Sequence, residues 1–530
     1  MKRSKKNKTE KIPVQKATSS SLKFIRHLNN NKELLVILVL SLILYIYTFD
    51  VKLDLNGDNV GYYLLGKSIA QGEGFSSIWA PDSPPHSYWP IGYPIIISIA
   101  MKLGLKSIEM VKAVNFLFLC GIVIFSFLFV KNITQNKIVA LITALCLGIN
   151  SHMLHYAYII MSEIPYLFFC VLTFYFISKI NFEKPVIKNY FLLASIITIS
   201  FCFYIRSIGF VLLFAVLIYY LLAKKWKIGL ITAFGFVVLY LPYYLRNHFL
   251  GVKGSSYLQQ VMWKNPYRRE LGKMELWDFF ERIYNNILRY VSIEIPTSVL
   301  TFFQAHQASL GSWLVGIICC LIILWGILRL EKYKFLVMYL FVGIFGVLLL
   351  WPEVWFGIRF ILTLFPFIIF LIVYGIFELI KKFNLNPKLL YGFGILYFLV
   401  HISIYSTLHR AAQRGYPSNY ANYFNIALWA NKNTNSNDVF VARKPKFFFL
   451  FSNRKAFIYK STPDDQELLK DLQQRNAKYV VIEQLGFGST PRYLVPAVQK
   501  NSSRFKIVYH LKNPDTYLLE FIEANLGEKD

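Results

Sequence analysis

Residues 53–94 read LDLNGDNVGYYLLGKSIAQGEGFSSIWAPDSPPHSYWPIGYP and follow the first long apolar run of the chain, residues 34–49. This stretch holds too many polar and charged side chains to remain in lipid, so it predicts a large loop at the membrane surface. Two carboxylates, Asp54 and Asp58, come within a few residues of the point where the chain leaves the membrane. A carboxylate held there could act as a base on a substrate carried in the bilayer.

Asp58 is also the predicted start of a helix. Asn56-Gly57 is a turn-forming pair, Asp is a favoured N-cap residue, and residues 60–70 have an amphipathic pattern that ends before Gly72. Beyond it, prolines alternate with aromatic residues and predict a rigid loop at interface depth. Most carboxylates just outside a membrane helix are merely solvated or cap a helix, so position alone assigns no function to Asp58.

The composition excludes a large soluble protein. Of the 530 residues, 55% are hydrophobic and 16% are charged, and several apolar runs approach the length of a membrane span. The net charge of +28 would indicate a nucleic-acid partner in a soluble protein, but here Lys and Arg collect in short loops between apolar runs, and no nucleic acid is expected. All six cysteines fall inside apolar runs, so they predict neither a disulfide framework nor a metal cluster.

The N-terminal tail, residues 1–33, carries ten Lys or Arg residues against two acidic ones. It predicts a cytoplasmic segment near anionic headgroups. Residues 34–49 could pass for a signal peptide. The long basic tail and the lack of a small-residue cleavage site favour a retained membrane anchor.

The hydropathy pattern predicts an all-α polytopic membrane fold with about eleven spans. These are residues 34–49, 114–130, 138–155, 163–180, 190–205, 208–222, 228–249, 312–328, 335–351, 359–380 and 389–406. Residues 91–105 are short and interrupted by Gly92 and Pro94, so we interpret them as an interfacial or re-entrant helix. The predicted membrane domain covers residues 34–408, with two large external loops, residues 50–113 and 251–311.

The basic loops agree with this count. With eleven spans, the loops that carry the basic residues all fall on the same side as the N-terminal tail: residues 131–137, 179–188, 224–227, 329–334 and 381–388. If residues 91–105 crossed the membrane, all five loops would move to the other side. We therefore expect a multi-pass protein of the cell (inner) membrane, with a cytoplasmic N-terminus.

The same scheme brings further ionisable residues to the extracytoplasmic side, namely Asp54, His152, His155, Glu163, Arg206, Arg246 and Arg359. Ionisable groups at membrane depth cost ~2.5–3.5 kcal/mol to insert, so several of them on one face indicate a site. Each alone has a simpler explanation, because terminal arginines reach lipid headgroups, and Glu or His can cap or pack. Lys264 lies in a basic, aromatic part of the second loop that fits a phosphate or a headgroup equally well.

Residues 409–530 contain no long apolar run and predict a small extracytoplasmic α/β domain. Strands are expected over residues 438–442, 456–459, 478–483, 505–511 and 517–521, and helices over residues 419–430 and 464–474. This segment shows no nucleotide-binding loop, metal-ligand spacing or catalytic triad. Its role is open, with covering the active site and contacting an acceptor as the two candidates.

Residues 57–75, GDNVGYYLLGKSIAQGEGF, and residues 89–94, WPIGYP, resemble the first external loop of the GT-C membrane glycosyltransferases. The resemblance is to the branch of the protein mannosyltransferases (family 39-like) and the aminoarabinose transferases that act on lipid A. It implies that Asp58 is the catalytic carboxylate. Asn59 stands where the family often has Glu, and the Lys usual before the Pro-rich turn is missing.

The resemblance implies an enzyme that transfers a sugar from a polyprenyl-phosphate donor to a lipid, glycan or protein acceptor on the extracytoplasmic face. Asp58 would be the general base in a single displacement with inversion. The departing phosphate would be stabilised by cations, for which the candidates are Arg206, Arg246, Arg359 and Lys264. A divalent metal is left open, since Glu163 with His152 or His155 could supply ligands, although the spacing matches no metal motif.

Two alternatives remain at this point. A polymerase or ligase of lipid-linked polysaccharides would need Arg or His residues in a late external loop and would tolerate loss of Asp58. A polytopic lipid transporter would show pseudo-symmetric halves with broken spans at matching positions, and no such repeat is visible in the sequence.

Overall fold

The computed structural model describes residues 31–251, 257–303 and 307–522. Most of the N-terminal tail, residues 1–30, therefore lies outside the described residues. Two parts make up the rest: a helical membrane part, and a smaller C-terminal part that contains a five-stranded sheet. The predicted combination of a helical membrane domain with a small α/β domain is confirmed, while the domain boundaries stay predictions.

Within the described residues, five helical stretches are long and apolar enough to span a membrane. They are Ile108–Thr134, Trp226–Phe249, Leu310–Arg329, Ile358–Lys382 and Leu389–Asn433. Lys137–Ile149 and Ser151–Ala157 make a sixth if the pair, bent by 56°, is one span. The bend falls at Asn150, whose side chain caps the second helix by accepting from the backbone N–H groups of His152 and Met153.

Shorter apolar helices complete the membrane part. They are Lys32–Thr48, Gly92–Lys102, Glu163–Ile177, Tyr190–Ile205, Gly209–Leu222 and Lys334–Leu350. Each predicted span coincides with an observed helical stretch, except that residues 138–155 form the bent pair Lys137–Ile149 and Ser151–Ala157. The predicted re-entrant segment is the short helix Gly92–Lys102. The number of helices that cross the bilayer stays a prediction.

The helix Ile358–Lys382 lies at the centre of the bundle. In its apolar stretch 83% of the residues are buried, against 17% in the apolar stretch of Trp226–Phe249. This helix consists of three consecutive segments: Ile358–Ile361, a short 3₁₀ turn at Leu362–Leu364, and Phe365–Lys382. Pro366 stands in the first turn of the last segment, where its missing N–H is not required. Arg359 therefore lies in the first turn of the most buried of the five long apolar helices.

The two large loops contain helices of their own. The first large loop (residues 50–113) contains the helices Asp58–Ala70 and Gly92–Lys102. The described part of the second (residues 251–311) contains Tyr257–Val261, Leu276–Arg289, the π-turn Tyr290–Glu294 and Ile295–Val299. Leu276–Arg289 is an amphipathic helix with Asp278 in its first turn and Arg289 in its last turn. The two helices of the first loop pack together through close contacts such as that of Gly66 with Ile97.

The C-terminal domain (residues 409–530) contains five strands in the order β2-β1-β3-β5-β4. The strands are β1 (Val439–Val441), β2 (Ala456–Phe457), β3 (Ala477–Ile482), β4 (Phe505–Leu511) and β5 (Thr516–Phe521). β1 pairs in parallel with β2 and β3, whereas β5 pairs antiparallel with β3 and β4. All five predicted strands are confirmed within a few residues.

The helices of this domain are Ser418–Asn433, Pro445–Ser452, Asp465–Gln474 and Val495–Lys500. The first and third were predicted, but Pro445–Ser452 was missed, because its sequence PKFFFLFS has no polar face that would identify a helix. Backbone and side-chain contacts join the domain to the first large loop: Ala456 N–H donates to the Trp79 carbonyl over 2.7 Å, and Lys455 Nζ donates to Ser83 Oγ over 2.8 Å.

Candidate active site

A cavity of about 470 Å³ lies between the first large loop and the membrane helices. Its polar lining includes Asp58, Ser162, Arg206 and Arg359. Aromatic side chains from both large loops and apolar side chains from membrane helices form the remaining walls: Tyr62, Tyr88, Trp89, Tyr257, Tyr267, Trp351, Trp355, Phe210, Val211, Val347 and Leu348. One wall is therefore suited to a hydrocarbon chain and another to a charged group.

Asp58 is the first residue of its helix. The preceding residue, Gly57, has φ +91°, a conformation that favours glycine, and it occupies the N-cap position without a side-chain cap. The expectation that Asp58 would itself cap the helix is wrong, since the left-handed turn at Gly57 allows the helix to start one residue earlier. The carboxylate is one-third exposed, and its Oδ2 accepts a hydrogen bond of 2.8 Å from Arg359 Nη1.

Arg359 joins two carboxylates. While its Nη1 donates to Asp58, its Nε donates to Oε1 of Glu163 over 2.5 Å. Gly357, with φ +114°, ends the preceding loop and allows the helix to begin at Ile358, which aims the side chain of the next residue at the cavity. Such charge-assisted hydrogen bonds are stronger than neutral ones, so this guanidinium fixes the relative positions of the first large loop and the helix core.

Glu163 is buried, with 1% of its side chain exposed, and it has a second cationic partner. Arg206 Nη1 lies 2.5 Å from Glu163 Oε1 and also donates to Ser162 Oγ over 3.2 Å. A buried carboxylate needs such pairing, because an isolated buried charge is very costly. Asp58, Glu163, Arg206 and Arg359 together carry two negative and two positive charges, so the four side chains have no net charge.

The aromatic wall is held by stacking and by a buried histidine. Tyr62 and Trp89 stack with ring centroids 4.7 Å apart, and the hydroxyls of Tyr62 and Ser162 lie 3.2 Å apart. Burial raises the pKa of Tyr62 to about 12, so its hydroxyl stays protonated. His86 supports this wall from behind, with Nε2 accepting from the Trp89 backbone N–H over 3.2 Å.

Two of the predicted phosphate-binding residues lie away from this cavity. Arg246 donates to the backbone carbonyls of Phe75 and His86 over 2.9 and 3.2 Å, so its guanidinium supports the first large loop. Lys264 pairs with Asp278 at 3.1 Å on an exposed surface. The structure thus brings together Asp58, Arg206 and Arg359, but not Arg246 and Lys264.

The residues considered as supporting groups or metal ligands are also dispersed. His152 Nε2 lies 3.1 Å from the Thr297 carbonyl, and His155 Nδ1 lies 2.8 Å from the Tyr158 hydroxyl. Asp54 accepts from the Asn56 backbone N–H over 3.0 Å in the turn before the helix. Within the described ranges no three His, Cys, Asp or Glu side chains are grouped to hold a metal ion, so the structure does not assemble Glu163 with either histidine as a ligand set.

Two lysines of the C-terminal domain that were not predicted from the sequence reach the first large loop. Lys444 Nζ donates to the carbonyls of Leu55 and Asn56 over 2.8 and 2.9 Å. Lys446 Nζ lies 3.8 Å from the ring centroid of Trp89. The basic run RKPK directly after a predicted strand was the available signal, because ligand-contacting residues often follow strands of parallel sheets.

Comparisons with known proteins agree with this architecture. Residues 96–251 match the family described as dolichyl-phosphate-mannose-protein mannosyltransferase. An oligosaccharyltransferase from Archaeoglobus fulgidus, solved in complex with Zn and sulfate, superposes with a TM-score of 0.57 at 13% identity, covering 91% of this chain and 72% of that chain. ArnT from Cupriavidus metallidurans bound to undecaprenyl phosphate superposes with a TM-score of 0.57 at 10% identity, covering 92% and 98%. No curated protein sequence matches the chain.

The mannosyltransferase family, the oligosaccharyltransferase and ArnT are all of the GT-C class. The chain has the fold of this class, and the resemblance inferred from residues 57–75 is confirmed. With its apolar helices, it is a multi-pass membrane protein that has the GT-C fold.

Proposed function

We propose that this protein transfers a sugar from a polyprenyl-phosphate-linked donor to an acceptor on the extracytoplasmic side of the membrane. The observation that carries the proposal is the pairing of Asp58 with Arg359 inside a cavity that has both a charged and an apolar wall. The mannosyltransferase family match and the likeness to ArnT, which was solved bound to undecaprenyl phosphate, support a donor of this chemistry. The acceptor, a lipid, glycan or protein, is left open.

Asp58 is the proposed general base. Its Oδ2 is held by Arg359, whereas in the described part of the chain its Oδ1 accepts no hydrogen bond and is available to an acceptor hydroxyl. As the acceptor oxygen attacks the anomeric carbon, its proton passes to this carboxylate. The bond between the anomeric carbon and the phosphate oxygen breaks at the same time, and its electron pair stays with the phosphate.

Arg206 and Arg359 are the proposed phosphate-binding residues, because they are the predicted cations that line the cavity. The phosphate gains negative charge as the bond to the sugar breaks, so fixed cations stabilise the transition state more than the bound donor. Both arginines are paired with Glu163. The buried carboxylate keeps them in position, so little reorganisation is needed during the reaction.

A single displacement with inversion is the simplest course for this site. Among the described residues that line the cavity, Asp58 is the one carboxylate, and Glu163 lies behind the two arginines with 1% of its side chain exposed. A double displacement would need a second carboxylate able to reach the sugar. The described residues offer no group of metal ligands, so the proposal contains no metal step.

Membranes from a deletion strain that expresses either the wild-type protein or Asp58→Asn test this function. We expect the deletion strain and the Asp58→Asn strain to accumulate a polyprenyl-phosphate-linked sugar that the wild-type protein consumes. Mass spectrometry of the lipid extract identifies that sugar, and the modified acceptor should be absent in parallel. Equal levels of every lipid-linked sugar in the three strains would rule out the proposed donor.

A further inference from the structure

The C-terminal domain places a short basic segment, residues 443–446, beside the first turn of the Asp58–Ala70 helix. The segment follows β1 and opens the helix Pro445–Ser452. Because β1, β2 and β3 are parallel, their carboxyl ends share one edge of the sheet, and this is the edge at which α/β domains commonly bind ligands. In this protein the segment at that edge contacts the first large loop.

Lys444 has a structural role in this contact. Its ammonium donates to the carbonyls of Leu55 and Asn56 over 2.8 and 2.9 Å and lies 3.4 Å from the place where a Cβ on Gly57 would sit. These bonds close the turn that leads into Asp58. The ammonium of Lys444 is therefore bound by backbone carbonyls of the loop.

Lys446 lies close by but does not donate to these carbonyls. In the part of the chain that the structure describes, its ammonium makes no hydrogen bond or ion pair, and it rests against the rings of Trp89 and Trp79 at 3.8 and 5.3 Å from their centroids. It also lies 3.0 Å from the position of a Cβ on Gly61. Gly61 is three residues after Asp58, and residues three apart share a face of a helix.

The Lys446 ammonium therefore lies on the Asp58 face of the helix, in contact with the ring of Trp89, which lines the cavity. Burial lowers the pKa of Lys446 to about 8, and the negative charge of Asp58 opposes that effect. A partly buried cation without a carboxylate is favourable only if aromatic faces or an incoming anion compensate for its lost hydration. The four charges around Arg359 already cancel, so Lys446 gives the site a net positive charge.

We propose that Lys446 is an anion-binding residue of this active site and that it binds a phosphate group of a substrate lying against Asp58. The phosphate belongs either to the polyprenyl donor or to a phosphorylated acceptor, and the identity of these substrates rests on the proposed function. If the phosphate is that of the donor, cleavage of its bond to the anomeric carbon leaves the electron pair on a phosphate oxygen. The monoanionic diester then becomes a dianionic monoester, which an ammonium binds more strongly.

The test measures binding of two probes to the full-length protein in lipid nanodiscs. Undecaprenyl phosphate is titrated first, and inorganic phosphate is then titrated to protein saturated with undecaprenyl phosphate. If Lys446 binds the phosphate of the donor, Lys446→Met should weaken undecaprenyl phosphate binding by about tenfold to a hundredfold, because one charge-assisted hydrogen bond is lost. Lys446→Arg, which keeps the charge, should restore most of the affinity.

The matched control is Lys455→Met, which removes another lysine that joins the same domain to the same loop, through Ser83. It should leave both affinities at the wild-type value, and thermal unfolding should show that each variant is folded. If Lys446→Met weakens only inorganic phosphate, the lysine serves an acceptor phosphate. Unchanged affinities in Lys446→Met, or no binding of either probe to the wild-type protein, would overturn the proposal. Lys446-dependent binding in a protein without transfer activity would instead count against the proposed function alone.

Discussion

Asp58 and Arg359 are 301 positions apart in the sequence, yet Arg359 Nη1 donates to Asp58 Oδ2 over 2.8 Å. The proposed base and a proposed phosphate-binding cation are thus direct hydrogen-bond partners. A donor phosphate that binds Arg359 must compete with the carboxylate of Asp58. Binding of the donor would therefore weaken the bond from Arg359 to Asp58 Oδ2, whereas Oδ1 is available to an acceptor hydroxyl in either case.

Asp58→Asn is the most direct test of the base. The change removes one charge but no helix cap, because Gly57 occupies the N-cap position, so the protein should insert and accumulate normally. Since an amide cannot accept the acceptor proton, we expect transfer to fall by the ~10²–10⁴-fold that a general base contributes. The rate of sugar transfer at equal protein level is the measurement.

The control for this variant is Asp54→Asn. Asp54 accepts only a local backbone bond from Asn56 and does not line the cavity, so its loss should be mild. If Asp58→Asn kept more than about a tenth of the wild-type rate, less than the loss expected for a base, the assignment of Asp58 would be wrong. Glu163 would be a poor substitute, since it is buried behind two arginines.

The arginines should separate into two groups by their kinetics. Arg206→Lys and Arg359→Lys keep a charge but lose the planar fork that contacts two acceptors at once, so donor use should fall by roughly tenfold to a hundredfold. Arg246→Lys should instead lower the thermal unfolding temperature and leave the KM for the donor unchanged, because Arg246 holds loop carbonyls. A donor KM that rises in Arg246→Lys and not in the other two would reverse the assignment.

The fold could be predicted well because each of its signals is local. Apolar runs determined the helices, as in Tyr190–Ile205, where the predicted and observed bounds coincide. A run rich in β-branched and aromatic residues determined β4 in the same way. The bend at Asn150 was not predicted, because asparagine, whose side chain caps the second helix here, also occurs within many straight helices.

The site could be predicted only in part, because its contacts join distant segments. Asp58, Arg206 and Arg359 each stood out as an ionisable residue at the end of an apolar run. Nothing in the sequence showed that Arg246 would instead bond to loop carbonyls, since a terminal arginine has the same appearance in both cases. Lys446 was missed because its position beside Trp89 depends on how the C-terminal domain docks.

The topology predicts that the first large loop and the C-terminal domain share the extracytoplasmic side. Single cysteines introduced by Glu73→Cys and Ser502→Cys, both at exposed positions, should react with a membrane-impermeant maleimide in intact cells. Lys184→Cys, in a predicted cytoplasmic loop, should react only after the membrane is permeabilised. Protection of either of the first two in intact cells would contradict the eleven-span scheme.

His86 makes the first large loop sensitive to acid. Its Nε2 accepts from the Trp89 N–H, so the neutral ring carries its proton on Nδ1, which donates to Ser77 Oγ over 2.9 Å. Burial, with the positive charges of Lys446 and Arg246, lowers the pKa of His86 to about 3. A proton on Nε2 would break the hydrogen bond from the Trp89 N–H. It would also place a third positive charge beside those of Lys446 and Arg246.

We therefore expect the wild-type protein to lose stability as the pH falls below about 6.5, the ordinary pKa of histidine. Between that value and about 3, the unfolded chain binds a proton that the folded His86 does not, so the free energy of unfolding rises with pH across this window. At pH 5 the loss relative to pH 8 should be about 2 kcal/mol. His86→Gln can accept the same Trp89 N–H without titrating, so its thermal unfolding in detergent should depend less on pH between 5 and 8. The same pH dependence in wild-type protein and variant would show that His86 is not the group responsible.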